Sequence, residues 1–306
     1  MRIYQIAIAS TLTILVSIAF ACADNGTGDK KSTASISELP PIPKEMSYAN
    51  EPVPLVNFDT YESLQREIMV NTFWHSQTLF NLMQASRYFP LIEPILKANN
   101  LPDDIKYITI AESSLQNVVS PAKAAGPWQI LEGTAKQYGL EVNENVDERY
   151  HVEKATEAAV KYLSRAKESL GSWTLATASY NIGLTGLKRH IERQKQASYY
   201  DLLLGDETGR YIFRVLAFKL ILSDPKSYGF DLTKNDLYPP LQYTQVQVDS
   251  TIEDLASFAI ANKTNYKLLK LYNPWLRTNT LPKNPGKVYT IKIPKEGFRE
   301  NAYTQR

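Results

Sequence analysis

The sequence has little cysteine, little histidine and almost no net charge, and each shortage excludes a class of protein. Its one cysteine, Cys22, cannot form a disulfide within the chain, and the three histidines are too few and too widely spaced to predict a metal site. With 34 basic and 32 acidic residues the formal net charge is +2, so the composition predicts no nucleic-acid partner and no acidic tail.

Apolar residues make up 43% of the 306 residues, which is enough to build a folded core. This composition excludes a wholly disordered, collagen-like or polytopic membrane protein. Tyrosine is frequent, with 19 residues, and its rings can line carbohydrate sites as well as fill an ordinary core.

The first 23 residues differ in character from the rest of the chain. Arg2 gives a short positive start, and an apolar stretch follows from Ile6 to Ala21. That stretch is shorter than the roughly 20 apolar residues that a membrane-spanning helix needs. We therefore interpret residues 1–23 as a secretory signal.

Cys22 leaves two interpretations open. It is either the acylated first residue of a mature bacterial lipoprotein, or the middle of an Ala21-Cys22-Ala23 site for ordinary signal cleavage. Lipoprotein signals usually carry leucine three positions before the cysteine, where this chain has Ala19. The lone cysteine nevertheless stands where a lipid would be attached. We predict a periplasmic lipoprotein anchored to the outer membrane.

Composition divides the following residues into a tether and a helical domain. Residues 24–58 are first polar and then rich in proline, and they are predicted to form a flexible tether. Residues 59–230 show helical periodicity, as in the apolar stripe of 155–170 that ends at Gly171. No alternation of strands and helices appears in this region, so the predicted fold class is mainly α.

A smaller module is predicted for residues 240–296, after the boundary at Pro239 and Pro240. Its predicted elements, in order, are a strand at Tyr243–Val248, helices at Ile252–Ala261 and Tyr266–Tyr272, and a strand at Val288–Ile293. The sequence therefore predicts a βααβ module that follows the helical domain.

Glu112 stands in an unexpected place on its predicted helix. Pro102 begins the helix, and Ile105, Ile108 and Glu112 fall on one face, so a carboxylate continues an apolar surface. Burial disfavours the charged form of a carboxylate and raises its pKa, which suits a general acid. The alternative is a structural carboxylate that turns to solvent or caps the next loop.

Three further motifs follow, and each has a structural explanation as well as a functional one. They are Ser120–Ile130, a loop with Gly126, Trp128 and Gln129; Ala178–Gly183, with Tyr180 and Asn181; and Glu207–Ile212, with Tyr211. The amide and phenol groups can hydrogen-bond a sugar, and Trp128 is either a sugar platform or part of the core. The structural alternatives are helix–loop packing and helix capping.

The order and spacing of these motifs resemble the lytic transglycosylases of the soluble-transglycosylase and goose-type-lysozyme family. The matching residues, within roughly 59–230, are Glu112-Ser113, Gly126-Pro127-Trp128-Gln129, Tyr180-Asn181-Ile182-Gly183 and Glu207-Thr208 with Tyr211. The resemblance implies a lysozyme-like helical domain, peptidoglycan glycan strands as substrate and no cofactor. It implies a catalytic role for Glu112. It also implies that the glycan or Glu112 is positioned by six further residues: Ser113, Ser120, Gln129, Tyr180, Asn181 and Tyr211.

Four positions depart from the family pattern. Lys123 replaces a common glycine, so a positive φ at this position would cost backbone strain. Ser179 and Ile182 replace alanines, and Gly209 replaces a common arginine. None of these changes removes Glu112, so activity is still expected.

The C-terminal module resembles a LysM domain, a family that binds the N-acetylglucosamine backbone of peptidoglycan. The matching residues are Leu255-Ala256, Leu268-Leu269, Tyr272-Asn273-Pro274, Leu281-Pro282 and Ile291-Lys292-Ile293-Pro294. The usual Gly-Asp-Thr start of the family is replaced by Val248-Asp249-Ser250-Thr251. The alternative is a small packing domain without affinity for glycans.

The resemblance also implies a mechanism with a single acid. Ordinary glycosidases use two carboxylates about 5–10 Å apart, and the candidates near in sequence are Glu132, Asp147 and Glu148. In the lyase mechanism Glu112 protonates the oxygen between N-acetylmuramic acid and N-acetylglucosamine, and a 1,6-anhydro ring is left. Two alternatives stay open: a muramidase that admits water, and a non-catalytic wall-binding lipoprotein.

Overall fold

The computed structural model describes residues 39–303; residues 1–38 and 304–306 lie outside it. The predicted signal, Cys22 and the polar part of the tether therefore fall outside the described residues. The helices are α1 (Phe58–Phe73), α2 (His75–Ala98), α3 (Tyr107–Ser113), α4 (Glu132–Gln137), α5 (Val152–Leu170), α6 (Trp173–Ile182), α7 (Leu184–Gln194), α8 (Asp206–Ser223), α9 (Leu255–Ala261), α10 (Tyr266–Tyr272) and α11 (Phe298–Asn301). The strands are β1 (Ser47–Tyr48), β2 (Glu51–Pro52), β3 (Tyr243–Val248) and β4 (Tyr289–Pro294).

Helices α1 to α8 build one core around α8. This helix packs against α1, α3 and α6, and its residues Ile212, Val215 and Leu216 are fully buried. Helix α5 presents the predicted apolar stripe to the core and ends at Gly171, which has a φ of +75°. Glycine adopts this left-handed backbone without steric cost, which explains why the helix stops there.

Part of the segment predicted as a tether is folded onto the helical domain. β1 and β2 form a short hairpin in which Tyr48 is fully buried and its hydroxyl bonds to Thr177. The carboxylate of Glu51 accepts hydrogen bonds from the backbone N–H groups of Trp173 and Thr174, at the N-terminus of α6. The tether prediction is therefore wrong for Ser47–Val53, because these contacts to distant residues are invisible in a local pattern of prolines.

The C-terminal module has the predicted βααβ order. β3 and β4 pair antiparallel, with Tyr243 opposite Pro294 and Val248 opposite Tyr289. Helix α9 begins at Leu255 and not at Ile252, because Asp254 accepts hydrogen bonds from the N–H groups of Ala256 and Ser257 and caps the helix.

Two hydrophobic clusters lie within residues 39–303, and the second crosses the predicted domain boundary. The module contributes Leu255, Leu269, Trp275 and Ile291 to the second cluster, among others. Ala125, Val146 and Tyr150 of the helical domain belong to the same cluster. No helix within these residues is both long and apolar enough to span a bilayer.

Candidate active site

Glu112 lies in the last turn of α3, on the face that this helix turns to the core. Ile105 and Ile108 on the same face are fully buried, and Glu112 itself is partly buried. Ser114 and Leu115 then adopt positive φ values of 53° and 59°, which ends the helix directly after the carboxylate. The backbone therefore leaves the helix directly after Glu112 and Ser113.

Burial raises the pKa of Glu112 from its ordinary value of 4.5 to about 7. The Tyr211 hydroxyl and the positive charge of Arg214 act in the opposite direction, because both stabilise the carboxylate. The negative charge of Glu207 raises the pKa further. A carboxyl group with a pKa near 7 holds its proton at a pH where ordinary carboxylates have lost theirs, as a general acid must.

Helix α8 supplies the groups that surround Glu112. Glu207, Tyr211 and Arg214 are spaced i, i+4 and i+7, so they share one face of the helix. The Tyr211 hydroxyl donates a hydrogen bond to Oε1 of Glu112. Burial raises the pKa of Tyr211 well above its ordinary value, so this hydroxyl stays protonated as a donor. The sequence motifs predicted Tyr211 as a site residue but not Arg214 as a charge that acts on Glu112, although the helical spacing of the two residues indicates a shared face.

A buried carboxylate on α1 holds the arginines of α8. Glu67 is almost fully buried, its Oε1 accepts from Nε of Arg210 at 2.7 Å, and its Oε2 lies 4.0 Å from Nε of Arg214. Arg214 thus interacts with two carboxylates, through an ion pair with Glu67 and through its charge with Glu112. The role of Glu67 was not predicted from the sequence, because no local pattern shows that α1 and α8 pack together.

Tyr180 and Trp128 connect α6 to the loop that follows Glu112. The Tyr180 hydroxyl donates to the carbonyl oxygen of Trp128 at 2.8 Å. The Trp128 ring is fully buried, and its Nε1 donates to Thr156 at 2.8 Å. Trp128 is therefore part of the core, and the alternative of a sugar platform is wrong.

Asn181 joins α6 to the start of α8. Its Oδ1 accepts from the Thr208 hydroxyl at 2.7 Å, and its Nδ2 donates to Glu207 at 3.2 Å. Both amide atoms are thus engaged within the protein. The side chain fixes Glu207 close to the group whose pKa it raises.

The loop of residues 118–130 places Gln129 beside Tyr180 and Asn181. Gln129 has a φ of +49°, and its Nε2 donates to the carbonyl oxygens of Val118 and Gly126, while no described residue donates to its Oε1. All three predicted side chains line one cavity of about 240 Å³. A larger open depression of about 900 Å³ near Asn50 shares no residue with this site.

Two serines of the predicted site bond to backbone groups of the same loop. Ser113 is buried, and its hydroxyl donates to the carbonyl oxygen of Pro127 at 2.7 Å. The Ser120 hydroxyl accepts from the N–H of Ala124 at 3.1 Å. Both contacts shape the loop next to Glu112, so the structure gives these serines positions that support the loop.

Backbone conformation explains two residues of the loop. A Cβ on Gly126 would lie 1.9 Å from the carbonyl oxygen of Arg149, so only glycine fits there. Lys123 has a φ of +63°, and this left-handed backbone conformation is strained for a lysine.

The three carboxylates considered as partners of Glu112 are engaged elsewhere. Glu132 is exposed and pairs with Lys136, Asp147 pairs with Arg149, and Glu148 pairs with two lysines. None of the three affects the pKa of Glu112, whereas Glu207 does.

Comparison with known proteins identifies both parts of the chain. The model of the transglycosylase SLT domain matches residues 90–203, and that of the soluble lytic transglycosylase C-terminal LysM-like domain matches residues 244–297. The chain is 30% identical over 241 residues to membrane-bound lytic murein transglycosylase D of two Escherichia coli strains. The alignment covers 77% of this chain and 51% of those relatives, so the chain spans about half of their length.

Among solved structures, a lytic transglycosylase Slt of Pseudomonas aeruginosa is 18% identical, with a TM-score of 0.39. The match covers 49% of this chain and 26% of that one. The family models and the helical architecture confirm the predicted fold class, a mainly α domain followed by a βααβ module. The chain carries a transglycosylase SLT domain of lysozyme-like fold, followed by a soluble lytic transglycosylase C-terminal LysM-like domain.

Proposed function

We propose that the protein is a peptidoglycan lytic transglycosylase. It cleaves the β-1,4 bond between N-acetylmuramic acid and N-acetylglucosamine without water and produces 1,6-anhydromuramyl ends. The observation that carries the proposal is the carboxyl group of Glu112 in the region that matches the SLT domain, with a pKa of about 7 and a hydrogen bond from Tyr211. The names of the Escherichia coli relatives support the same reaction.

In the first step, protonated Glu112 donates its proton to the oxygen that links the two sugars. The bond between this oxygen and the anomeric carbon breaks, and N-acetylglucosamine leaves with a hydroxyl group. The acetamido oxygen of the muramyl residue stabilises the positive charge at the anomeric carbon. Tyr211 stabilises the Glu112 carboxylate that forms, because its hydroxyl already donates to this group.

In the second step, the Glu112 carboxylate accepts the proton of the muramyl 6-hydroxyl. The oxygen attacks the anomeric carbon and closes the anhydro ring, and Glu112 returns to its protonated form. One residue thus acts first as acid and then as base, as the reversible protonation of a group with a pKa near 7 allows. The Oε1 of Gln129 and the cavity beside Tyr180 and Asn181 bind the neighbouring sugars.

The Glu112→Gln variant tests this role. An amide cannot donate the proton, so the variant should release no soluble fragments from peptidoglycan while its circular dichroism matches that of the unchanged protein. Glu132→Gln is the matched control, because Glu132 is exposed and its partner is Lys136. Cleavage by Glu112→Gln at the rate of the control would contradict the proposal.

A muramidase that admits water is the second candidate, and one observation favours it. Glu207 lies close enough to raise the pKa of Glu112, so it could serve as a base for water. Glu207→Gln separates the two reactions. The lyase should keep its activity with the alkaline limb of its pH profile moved to lower pH, whereas the hydrolase should lose its activity.

We propose further that the protein is exported and attached to the outer membrane through a lipid on Cys22. The apolar stretch before this cysteine supports export, and the word membrane-bound in the name of the relatives supports attachment. Cys22→Ala should move the protein from the membrane fraction to the soluble periplasmic fraction. Unchanged partition would refute acylation.

The LysM-like domain is proposed to bind the glycan backbone of peptidoglycan. Its family match supports this role. Glu112→Gln, which should not cleave, can be mixed with purified sacculi and sedimented, so that binding is measured without digestion. If the unchanged protein sediments with sacculi but releases no fragments, the protein is a wall-binding lipoprotein and not an enzyme.

A further inference from the structure

The LysM-like domain is joined to the helical domain through the segment Glu141–Tyr150. The backbone N–H of Asp147 donates to the carbonyl oxygen of Trp275 at 2.9 Å. In return, the N–H of Arg277 donates to the carbonyl oxygen of Asn145 at 2.8 Å. A β-bridge pairs Val146 with Leu276. These bonds are the kind that hold strands of one sheet together, so the two domains share a backbone ladder.

Ion pairs reinforce the same contact. Lys287 of the LysM-like domain bonds to Glu141 at 2.5 Å and to Glu148 at 2.8 Å. The Tyr289 hydroxyl also donates to Glu141, at 3.0 Å. Glu148 is almost fully buried, and a buried carboxylate that loses a partner is costly, so this contact resists separation.

Arg149 links this segment to the loop that carries Gln129. Its guanidinium bonds to both carboxylate oxygens of Asp147, at 2.9 and 2.7 Å. Its Nη1 donates to the carbonyl oxygens of Lys123, at 3.0 Å, and of Ile130, at 3.2 Å, on either side of Gln129. The rigid fork of arginine can hold a carboxylate and two carbonyl groups at the same time, which a lysine cannot do.

The loop needs such support because its backbone is strained. Lys123 and Gln129 both have positive φ values, and such conformations persist only when the surroundings hold them. Ala125, in the middle of the loop, is fully buried in the hydrophobic cluster of the LysM-like domain. The loop therefore shares a hydrophobic cluster with the LysM-like domain and is also held through Arg149, whose partner Asp147 bonds to the backbone of Trp275.

We propose that the LysM-like domain is a structural part of the active site, which positions Gln129 through Arg149, and is not only a wall anchor. Arg149 is a positioning residue in this proposal. The proposal rests on the proposed function only in taking Gln129 as a glycan-binding residue. A further test, the order of the loop itself, is independent of any activity.

The test compares four variants of the full chain: Arg149→Lys, Lys287→Met, the double variant that combines these two changes, and the control Lys267→Met. Lys267 is exposed on α10 of the same domain and belongs to none of the ion pairs of residues 39–303. Hydrogen exchange is measured for the amides of residues 124–130, five of which are bonded within the loop region, namely those of Ala124, Ala125, Gly126, Gln129 and Ile130. Kinetics are measured on a soluble tetrasaccharide of alternating N-acetylglucosamine and N-acetylmuramic acid.

We expect Arg149→Lys and Lys287→Met to accelerate exchange in the loop about tenfold, while Lys267→Met leaves it unchanged. KM for the tetrasaccharide should rise about fivefold in Arg149→Lys, the effect of losing roughly one net hydrogen bond. The alkaline limb of the pH profile should stay in place, because the charged and hydrogen-bonding groups that act on the pKa of Glu112 belong to α8. The double variant should be no worse than Arg149→Lys alone, since both changes act on one path.

Unchanged loop exchange in Lys287→Met would overturn the proposal, as would an unchanged KM in Arg149→Lys. If the unchanged protein does not cleave the tetrasaccharide, the proposed function fails, and loop exchange alone then decides whether the LysM-like domain orders the loop. A moved alkaline limb would show that Arg149 acts on Glu112 and would contradict the assigned path.

Discussion

Replacing Glu112 by glutamine should stabilise the protein while it abolishes cleavage. The unfolded chain has a carboxyl with a pKa near 4.5, whereas burial raises the pKa of Glu112 to about 7 in the folded protein. Below about pH 4 the group is protonated in both states and carries no penalty. As the pH rises from about 4.5 to about 7, the folded protein keeps a proton that the unfolded chain has released, so stability falls across this window and levels off above it.

The size of this effect follows from the difference between the two pKa values. A difference of about 2.5 corresponds to about 3 kcal/mol, at about 1.4 kcal/mol per unit of pKa. This is an upper limit, because Glu112 faces the site and is partly screened by water. Glutamine has no charge to bury. The change in the free energy of unfolding caused by Glu112→Gln should therefore be about 1–3 kcal/mol more favourable at about pH 8.5 than at about pH 4.

The assay is unfolding by urea at both pH values, for the unchanged protein, for Glu112→Gln and for the control Glu132→Gln. Glu132 is exposed and its pKa is lowered by Lys136, so its replacement should give no gain at high pH. If Glu112→Gln changes the free energy of unfolding equally at the two pH values, the pKa of Glu112 is not raised in the folded protein. The assignment of Glu112 as a general acid would then lose its physical basis.

Three further predictions follow from named contacts. Tyr211→Phe removes a hydrogen bond that lowers the pKa of Glu112, so the alkaline limb of the pH–rate profile should move to higher pH; a limb that stays or moves down contradicts this contact. Lys123→Gly relieves a positive φ and should raise the free energy of unfolding by about 0.5–1 kcal/mol in urea titrations, with loss of stability as the contrary result. Glu51→Gln weakens the cap of α6 and should lower the free energy of unfolding by about 1–3 kcal/mol near pH 7. The loss should shrink as the pH falls, because hydrogen bonds to the Glu51 carboxylate outweigh its burial and lower its pKa. An equal loss at low pH would refute this.

Local patterns predicted much of the fold. The helix end at Gly171, the strand Tyr243–Val248 and the helix Tyr266–Tyr272 depend on periodicity and on stop residues, which are properties of neighbouring positions. The start of α9 was predicted three residues too early, because apolar spacing does not show which residue caps a helix. Asp254 decides that point through its own hydrogen bonds.

The surroundings of Glu112 were only partly predictable. Its place on a buried face followed from the spacing of Ile105 and Ile108, but Glu67 and Arg214 act through the packing of α1 and α3 against α8. Such contacts between distant residues have no local signal. The same holds for the hairpin at residues 47–52, whose prolines predicted an extended tether.

The most direct test of the central claim is the digestion of purified peptidoglycan in water enriched in oxygen-18, with mass spectrometry of the soluble products. The lyase reaction takes the attacking oxygen from the muramyl 6-hydroxyl, so we predict anhydromuramyl ends without label. Reducing muramyl ends that carry one labelled oxygen per cleavage would contradict the account, because water would then have attacked the anomeric carbon.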